Sequence, residues 1–142
     1  MTLRTNEKAL VKELAGYIDT NAEKLGGDAL ARLFLTKPST KTYFSGYADY
    51  TAKGAKVKMQ GGIIVKAILR AINRLDDVQG SLEETAVIHG QQLFVDPHNF
   101  DLFAQNLLVT LASNLTNFTP QVHCALDKFL AQVVTALSSR YR

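Results

Sequence analysis

Ser81-Leu-Glu-Glu-Thr-Ala-Val-Ile-His89-Gly90 is the segment from which the architecture can be worked out. Its first four residues have the spacing of a capping box. A Ser hydroxyl can accept from an orphan first-turn amide while the Glu reaches back. The spacing predicts a helix opening at Ser81 and running through His89. Glu83 and Glu84 serve the helix start, and His89 stands alone on an otherwise apolar face. Gly90 and the two glutamines after it weaken the helix end. A lone histidine is more often a satisfied core or surface group than a ligand, so it gains meaning only with a second polar partner.

That partner lies upstream. A long helix is predicted over roughly 53–73, with Val57, Ile64, Ile68, Ala71 and Leu75 at helical spacing. Gln60 falls one turn before Ile64 and 29 residues before His89 (89 − 60), which puts an amide on the apolar face. Such burial is costly unless the amide has a partner. It bonds either a backbone group or a bound ligand. A neutral imidazole on an apolar helix face is a strong axial ligand for haem iron. Phe44, in a loop before the long helix, is the third element of this candidate pocket.

Capping signals divide the remaining chain. Thr5-Asn-Glu begins a helix bearing Leu10, Val11, Leu14 and Ile18. Thr20-Asn-Ala-Glu23 is a second capping box, opening a helix with Leu25, Ala29, Leu33 and Phe34. Pro38 starts a short helical turn to Tyr43, and residues 44–52 read as a loop. Asp76-Asp77 end the long helix. Asp96-Pro97 supplies a cap and a first-turn proline for a helix to about 114, and Thr119-Pro120 repeats the device for a last helix to about 138. That last helix carries Val122, Leu126, Phe129, Val133 and Leu137 as its stripe. No strand-like alternation stands out. The fold expected is all-α, with about six long helices plus one or two short ones.

The 142 residues suit one domain over 1–142, large enough for an enclosed cofactor. Apolar residues make up 46%, yet the longest apolar runs are too short for a bilayer, and the N-terminus has no apolar signal segment. Cys124 is the only cysteine, so no internal disulfide forms and a reducing, intracellular setting is expected. The +3 net charge is scattered apart from Lys53, Lys56 and Lys58, which argues against nucleic acid and leaves room for an anionic effector.

Three further segments are distinctive: Pro38-Ser-Thr-Lys-Thr-Tyr-Phe44, Val95-Asp-Pro-His-Asn-Phe100 and Phe118-Thr-Pro-Gln-Val-His-Cys-Ala-Leu-Asp-Lys-Phe-Leu130. With the ending Leu137-Ser-Ser-Arg-Tyr-Arg142, they make the chain resemble the alpha-type haemoglobin chains of the globin family over essentially its whole length. The short segment between Phe44 and Gln60 is also alpha-like. The resemblance implies a globin fold around haem b, reversible binding of O2 (and of CO and NO), and a red-cell cytoplasmic setting. It implies His89 as the proximal iron ligand, its other N–H held by a backbone carbonyl, with Gln60 and Ile64 on the distal side. Tyr43, Phe44, Tyr47, Leu93, Val95, Asn99, Phe100, Phe103, Leu107 and Leu137 map onto haem contacts or the pocket rim.

The resemblance also implies beta-type partners in an alpha2beta2 tetramer. Arg32, Phe118 and His123 match one alpha–beta contact. Ser39, Thr42, Tyr43, Phe94, Asp96, Pro97 and Asn99 match the contact that slides on oxygenation. Tyr141 is expected against Val95, and Arg142 against Asp127 of the other alpha-type chain, with Lys128 near the terminal carboxylate. Three departures stand out. Gln60 replaces the usual distal His and cannot titrate. Ile63 and Gly46 replace a Lys and a His near the propionates, so either haem is held more loosely or another base such as Lys56 helps. Phe94 replaces an Arg, which removes a charge from the second contact.

Two rival classes follow from the same residues. A haem enzyme, peroxidase-like or nitric oxide dioxygenase-like, needs proton transfer that Gln60 cannot give. A cofactor-free helical interaction protein leaves Gln60 and His89 unexplained. His98 is expected at a surface or subunit contact, and Cys124 is expected to be a packed thiol.

Overall fold

The structure, a computed structural model, describes residues 2–141. Arg142 and its expected pairing lie outside the described residues. Eight α-helices are present among them: α1 Thr5–Glu13, α2 Ala15–Thr20, α3 Ala22–Thr36, α4 Ala55–Ile72, α5 Val78–Ser81, α6 Glu83–Val87, α7 His98–Asn114 and α8 Pro120–Ser138. A 3-10 segment, Pro38–Phe44, precedes α4, and a π-helical turn, Ile88–Gln92, follows α6. The described residues contain no strand, in line with the all-α expectation.

Some caps sit where the sequence put them. Thr119 accepts from Val122 N–H at 3.2 Å, and Asp96 accepts from His98 N–H at 3.0 Å. The other two capping boxes do not form. Thr20 is the last helical residue of α2, and the backbone ladder crosses the junction through Asn21 N–H to Tyr17 O and Leu25 N–H to Asn21 O. A cap needs an extended residue, and none is offered there. Ser81 is likewise still helical and donates to Val78 O at 2.7 Å. The cap belongs instead to Asp77, whose carboxylate accepts from Gly80 N–H at 2.9 Å. The helical path therefore starts before Ser81, at Val78.

Burial divides into two clusters. The larger gathers Leu25, Ile72, Leu126 and Phe129 with neighbours from α1 to α8. The smaller holds Leu30, Leu33, Phe34 and Val57. Ile64 of α4 and Phe103 of α7 pack against both, so the two clusters meet at these side chains. Cys124 does not fit the expectation of a packed thiol. It is exposed, because the buried stripe of α8 runs Val122, Ala125, Leu126, Phe129 and passes it by.

The helices α3 and α4 cross backbone to backbone. A Cβ on Gly26 would sit inside the carbonyl of Gly61, and one on Gly61 would sit inside the backbone of Gly26. Only glycine at both positions allows this crossing, whereas nothing lies within 4 Å of a Cβ added at Gly16. At the other end of the fold, Glu7 is buried between the Arg4 amide and the Lys128 ammonium, at 2.8 Å from each. The Lys128 hydrogen bond, then the Arg4 amide, hold its carboxyl below the ordinary value of 4.5.

Gly61→Val is expected to cost about 2–3 kcal/mol by overpacking. That lowers the thermal midpoint by roughly 6–12 °C, while Gly16→Ala leaves it unchanged or raised. Thermal unfolding of the two variants checks this. Glu7 has a depressed pKa, so its stabilisation is present above the ordinary carboxylate range and is lost as pH falls through the lowered value. Glu7→Gln is therefore expected to lower the urea midpoint near neutral pH, with the difference from wild type shrinking as pH falls through the lowered value.

Candidate functional site

His89 lies inside the π-helical turn, where Leu93 N–H bonds Ile88 O at 2.9 Å and closes a wider ring than an α-turn does. Such turns recur at functional sites because they redirect side chains from the helical register. The sequence pointed only to a weakening helix. The ring is half-buried, and its Nδ1 lies 2.8 Å from the carbonyl of Thr85, one turn earlier. A carbonyl can only accept, so Nδ1 carries the proton and Nε2 keeps its lone pair. Nε2 has no hydrogen-bond partner among the described residues. Phe100 packs edge-on against the ring at 5.6 Å between centroids, which limits its rotation.

The connection after the π-turn is tightly held. Val95 is buried and its N–H bonds His89 O at 2.9 Å. Between them Phe94 adopts φ 52, a left-handed conformation uncommon for a bulky residue. Leu93 and Phe94 are exposed by 57% and 62%. Asn99 Nδ2 donates to the Tyr43 hydroxyl at 3.2 Å, tying the start of α7 to the 3-10 segment. Gly90 is buried against the backbone of Arg140 and Tyr141, where a Cβ would collide.

Gln60 projects from α4, half-buried, and its amide bonds no other described residue. The alternative that it satisfies a backbone group is therefore not realised. One turn further along α4, Ile64 packs against both core clusters; Phe44 and Tyr47 pack on the smaller one, Phe103 on both and Leu137 on the larger, where Leu107 is fully buried. Phe44 and Tyr47 lie 6.2 Å apart between ring centroids, and Tyr47 stacks on Tyr50 at 5.3 Å. Burial, then Tyr50, pushes the Tyr47 hydroxyl above its ordinary value.

These residues fit haem. A single lone-pair nitrogen is held in one tautomer, one amide has no hydrogen-bond partner among the described residues, and half-buried apolar side chains, Ile64 and Phe103, join the two core clusters. The donor set suits no polydentate metal site, since no group of three or more His, Cys, Asp or Glu stands ready for one among the described residues.

The expected subunit-contact residues are mostly open. His123 is exposed with its ring 5.5 Å from Phe118, Arg32 is half-buried, and Ser39, Thr42, Asp96 and Asp127 are exposed. Pro97 is half-buried. Lys128 is engaged within the chain by Glu7, although an ammonium has further donors to offer. Tyr141 is 44% exposed, and its hydroxyl makes no hydrogen bond to Val95 in the single chain. His98 is exposed, as expected for a residue off the site.

A family model described as Globin matches residues 27–137. The chain is 52% identical to haemoglobin subunit alpha of Squalus acanthias over 140 residues, covering 99% of both. It is 49% identical to that of Hemitrygon akajei over 142 residues, covering 100% of both. Among solved structures, deoxy haemoglobin from Dasyatis akajei superimposes with a TM-score of 0.97 at 48% identity, covering 99% of this chain and 100% of that one. Deoxy haemoglobin from Mustelus griseus gives 0.96 at 42% identity, with the same coverage. With a carbonyl-held histidine, a glutamine without a hydrogen-bond partner among the described residues, an all-helical frame and likeness that runs from end to end, the chain belongs to the globin family.

Proposed function

We propose that this chain is an alpha-type haemoglobin subunit, one globin domain over residues 1–142, that binds haem b and carries oxygen reversibly in a tetramer with beta-type chains. The observation that carries the reading is the Nδ1 bond of His89 to Thr85 O at 2.8 Å, which leaves Nε2 as the one basic atom on an apolar surface. Full-length identity to haemoglobin alpha subunits supports the subunit type. The red-cell cytoplasm is the setting that follows from that type. No helix among the described residues is long and apolar enough to cross a membrane.

Haem iron, when bound, supplies the centre that takes up a diatomic ligand. The chain's own residues do the rest. His89 would hold the iron through Nε2, with tautomer and ring angle fixed by Thr85 and Phe100. Ile64 and Phe103 exclude water from the interior, which favours reversible binding over oxidation of the iron. Gln60 offers an N–H donor on the distal side. Its amide does not titrate, so it stabilises a polar ligand without delivering a proton, and a peroxidase-like reading is not favoured. Phe118, His123 and Arg32 form one contact with a beta-type chain. The Tyr43–Asn99 pair, Phe94, Asp96 and Pro97 form the other. Tyr141, with Arg142, Asp127 and Lys128, links the chain end to the opposite alpha-type chain.

The purified wild-type chain is expected to show a haem spectrum that changes reversibly with oxygen and with carbon monoxide. His89→Gly is expected to lose haem or to show an altered ligand field. A colourless wild type after reconstitution sinks the reading. Gln60→Val should speed oxygen dissociation by about two- to ten-fold, the range of a single net hydrogen bond. Stopped-flow ligand replacement reads that rate, and an unchanged value removes the donor role of Gln60.

A further inference from the structure

The pocket's outer edge carries a cation with no carboxylate partner. Lys56 lies one turn before Gln60 on α4, and its Nζ stands 5.9 Å from the centroid of Tyr47. Attraction to the ring face holds an ammonium in place without neutralising it. Lys41 is held the same way over Tyr50, at 5.2 Å. The two tyrosines are themselves stacked, and Tyr47 contacts Phe44 and packs on the smaller core cluster with Ile64. A set of aromatic rings therefore packs on the smaller core cluster beside Ile64 and ends under two ammonium groups. The carboxylate in the same loop, Asp49, is occupied by Thr51 N–H at 2.8 Å, with Lys53 as its nearby cation. No ion pair engages Lys56 or Lys41 among the described residues.

The pocket-facing side of α4 thus grades from apolar to cationic. Ile64 and Gln60 occupy one part, and Lys56 sits one turn further toward the N-terminal end of the helix. Ile63, on the same helix, is exposed and offers no charge. A flat apolar ligand with carboxylates along one edge matches this gradient if its carboxylates lie toward Lys56. We propose that Lys56, held over the ring of Tyr47, is the group that anchors a haem propionate in this chain. Lys41 is the secondary cation, adding attraction at longer range. The inference rests on the haem reading above and adds to it which side chain orients the ligand edge.

The test is a chemical double cycle. Wild type, Lys56→Gln and the control Lys53→Gln are each loaded with haem and with haem dimethyl ester, in which both carboxylates are blocked. Transfer of each to an excess of haem-free acceptor protein is followed optically. Lys56→Gln is expected to release haem about two- to five-fold faster than wild type, the range of an exposed ion pair. It should release the ester at the wild-type rate, and Lys53→Gln should match wild type with both. Unchanged haem release from Lys56→Gln overturns the anchor, as does equal acceleration of haem and ester. A wild-type chain that takes up neither overturns the haem reading and this inference with it. A wild type that takes up haem while Lys56→Gln behaves normally overturns only the anchor.

Discussion

The contact between the backbones of Gly26 and Gly61 governs the rest of the structure. Two helices usually cross with side chains between them, about 8–10 Å apart. Here neither residue has a Cβ, so α3 and α4 meet backbone to backbone. That proximity has a direct consequence one residue away. Gln60 is carried on the α4 turn next to Gly61, and its height above the pocket is set by how closely α4 lies on α3. It also defines the smaller core cluster, since Leu30, Leu33 and Phe34 of α3 meet Val57 of α4 across the same crossing. The distal side of the pocket is therefore as rigid as the helix pair that bears it.

The proximal side is built on a different principle. α6 has five residues, and a π-turn takes over where His89 sits. Short helices contribute little stability of their own, so this segment is held from outside. Phe100 restrains the ring, Val95 returns its N–H to His89 O, and Gly90 lets the chain end lie against the turn. His89 is thus joined by its carbonyl to the connection at Val95, and its neighbour Gly90 to Arg140 and Tyr141. Within that connection the apolar Leu93 and Phe94 are exposed in the single chain.

Charge is arranged so that the interior and the edge do different jobs. Inside, the polar groups are Gln60 and His89, and neither is paired to a charge. At the edge, Lys41 and Lys56 stand over tyrosine rings. The ion pair of Glu7 with Lys128 ties α1 to α8. The separation matters physically. An unpaired charge beside an apolar ligand costs desolvation energy, whereas a cation at the edge keeps its water until a carboxylate replaces it.

The amino-acid sequence by itself determined the helical class, the last two helices with their Asp96 and Thr119 oxygens near the helix starts, and the single cysteine. These are local properties: caps, proline positions and apolar periodicity act within a few residues. It misplaced the starts of two helices, because a capping box reads the same whether the preceding residue is extended or already helical. Thr20 and Ser81 were helical, and only the neighbouring backbone ladders decided that. It placed Cys124 in the core, where the phase of the α8 stripe excludes it. The tertiary structure alone decided three things. It supplied the Thr85 carbonyl that fixes the His89 tautomer, through a π-turn that no periodicity announces. It left Gln60 without a protein partner, and it set Lys56 over Tyr47. Each depends on which groups meet in space, and a one-dimensional pattern does not contain that information.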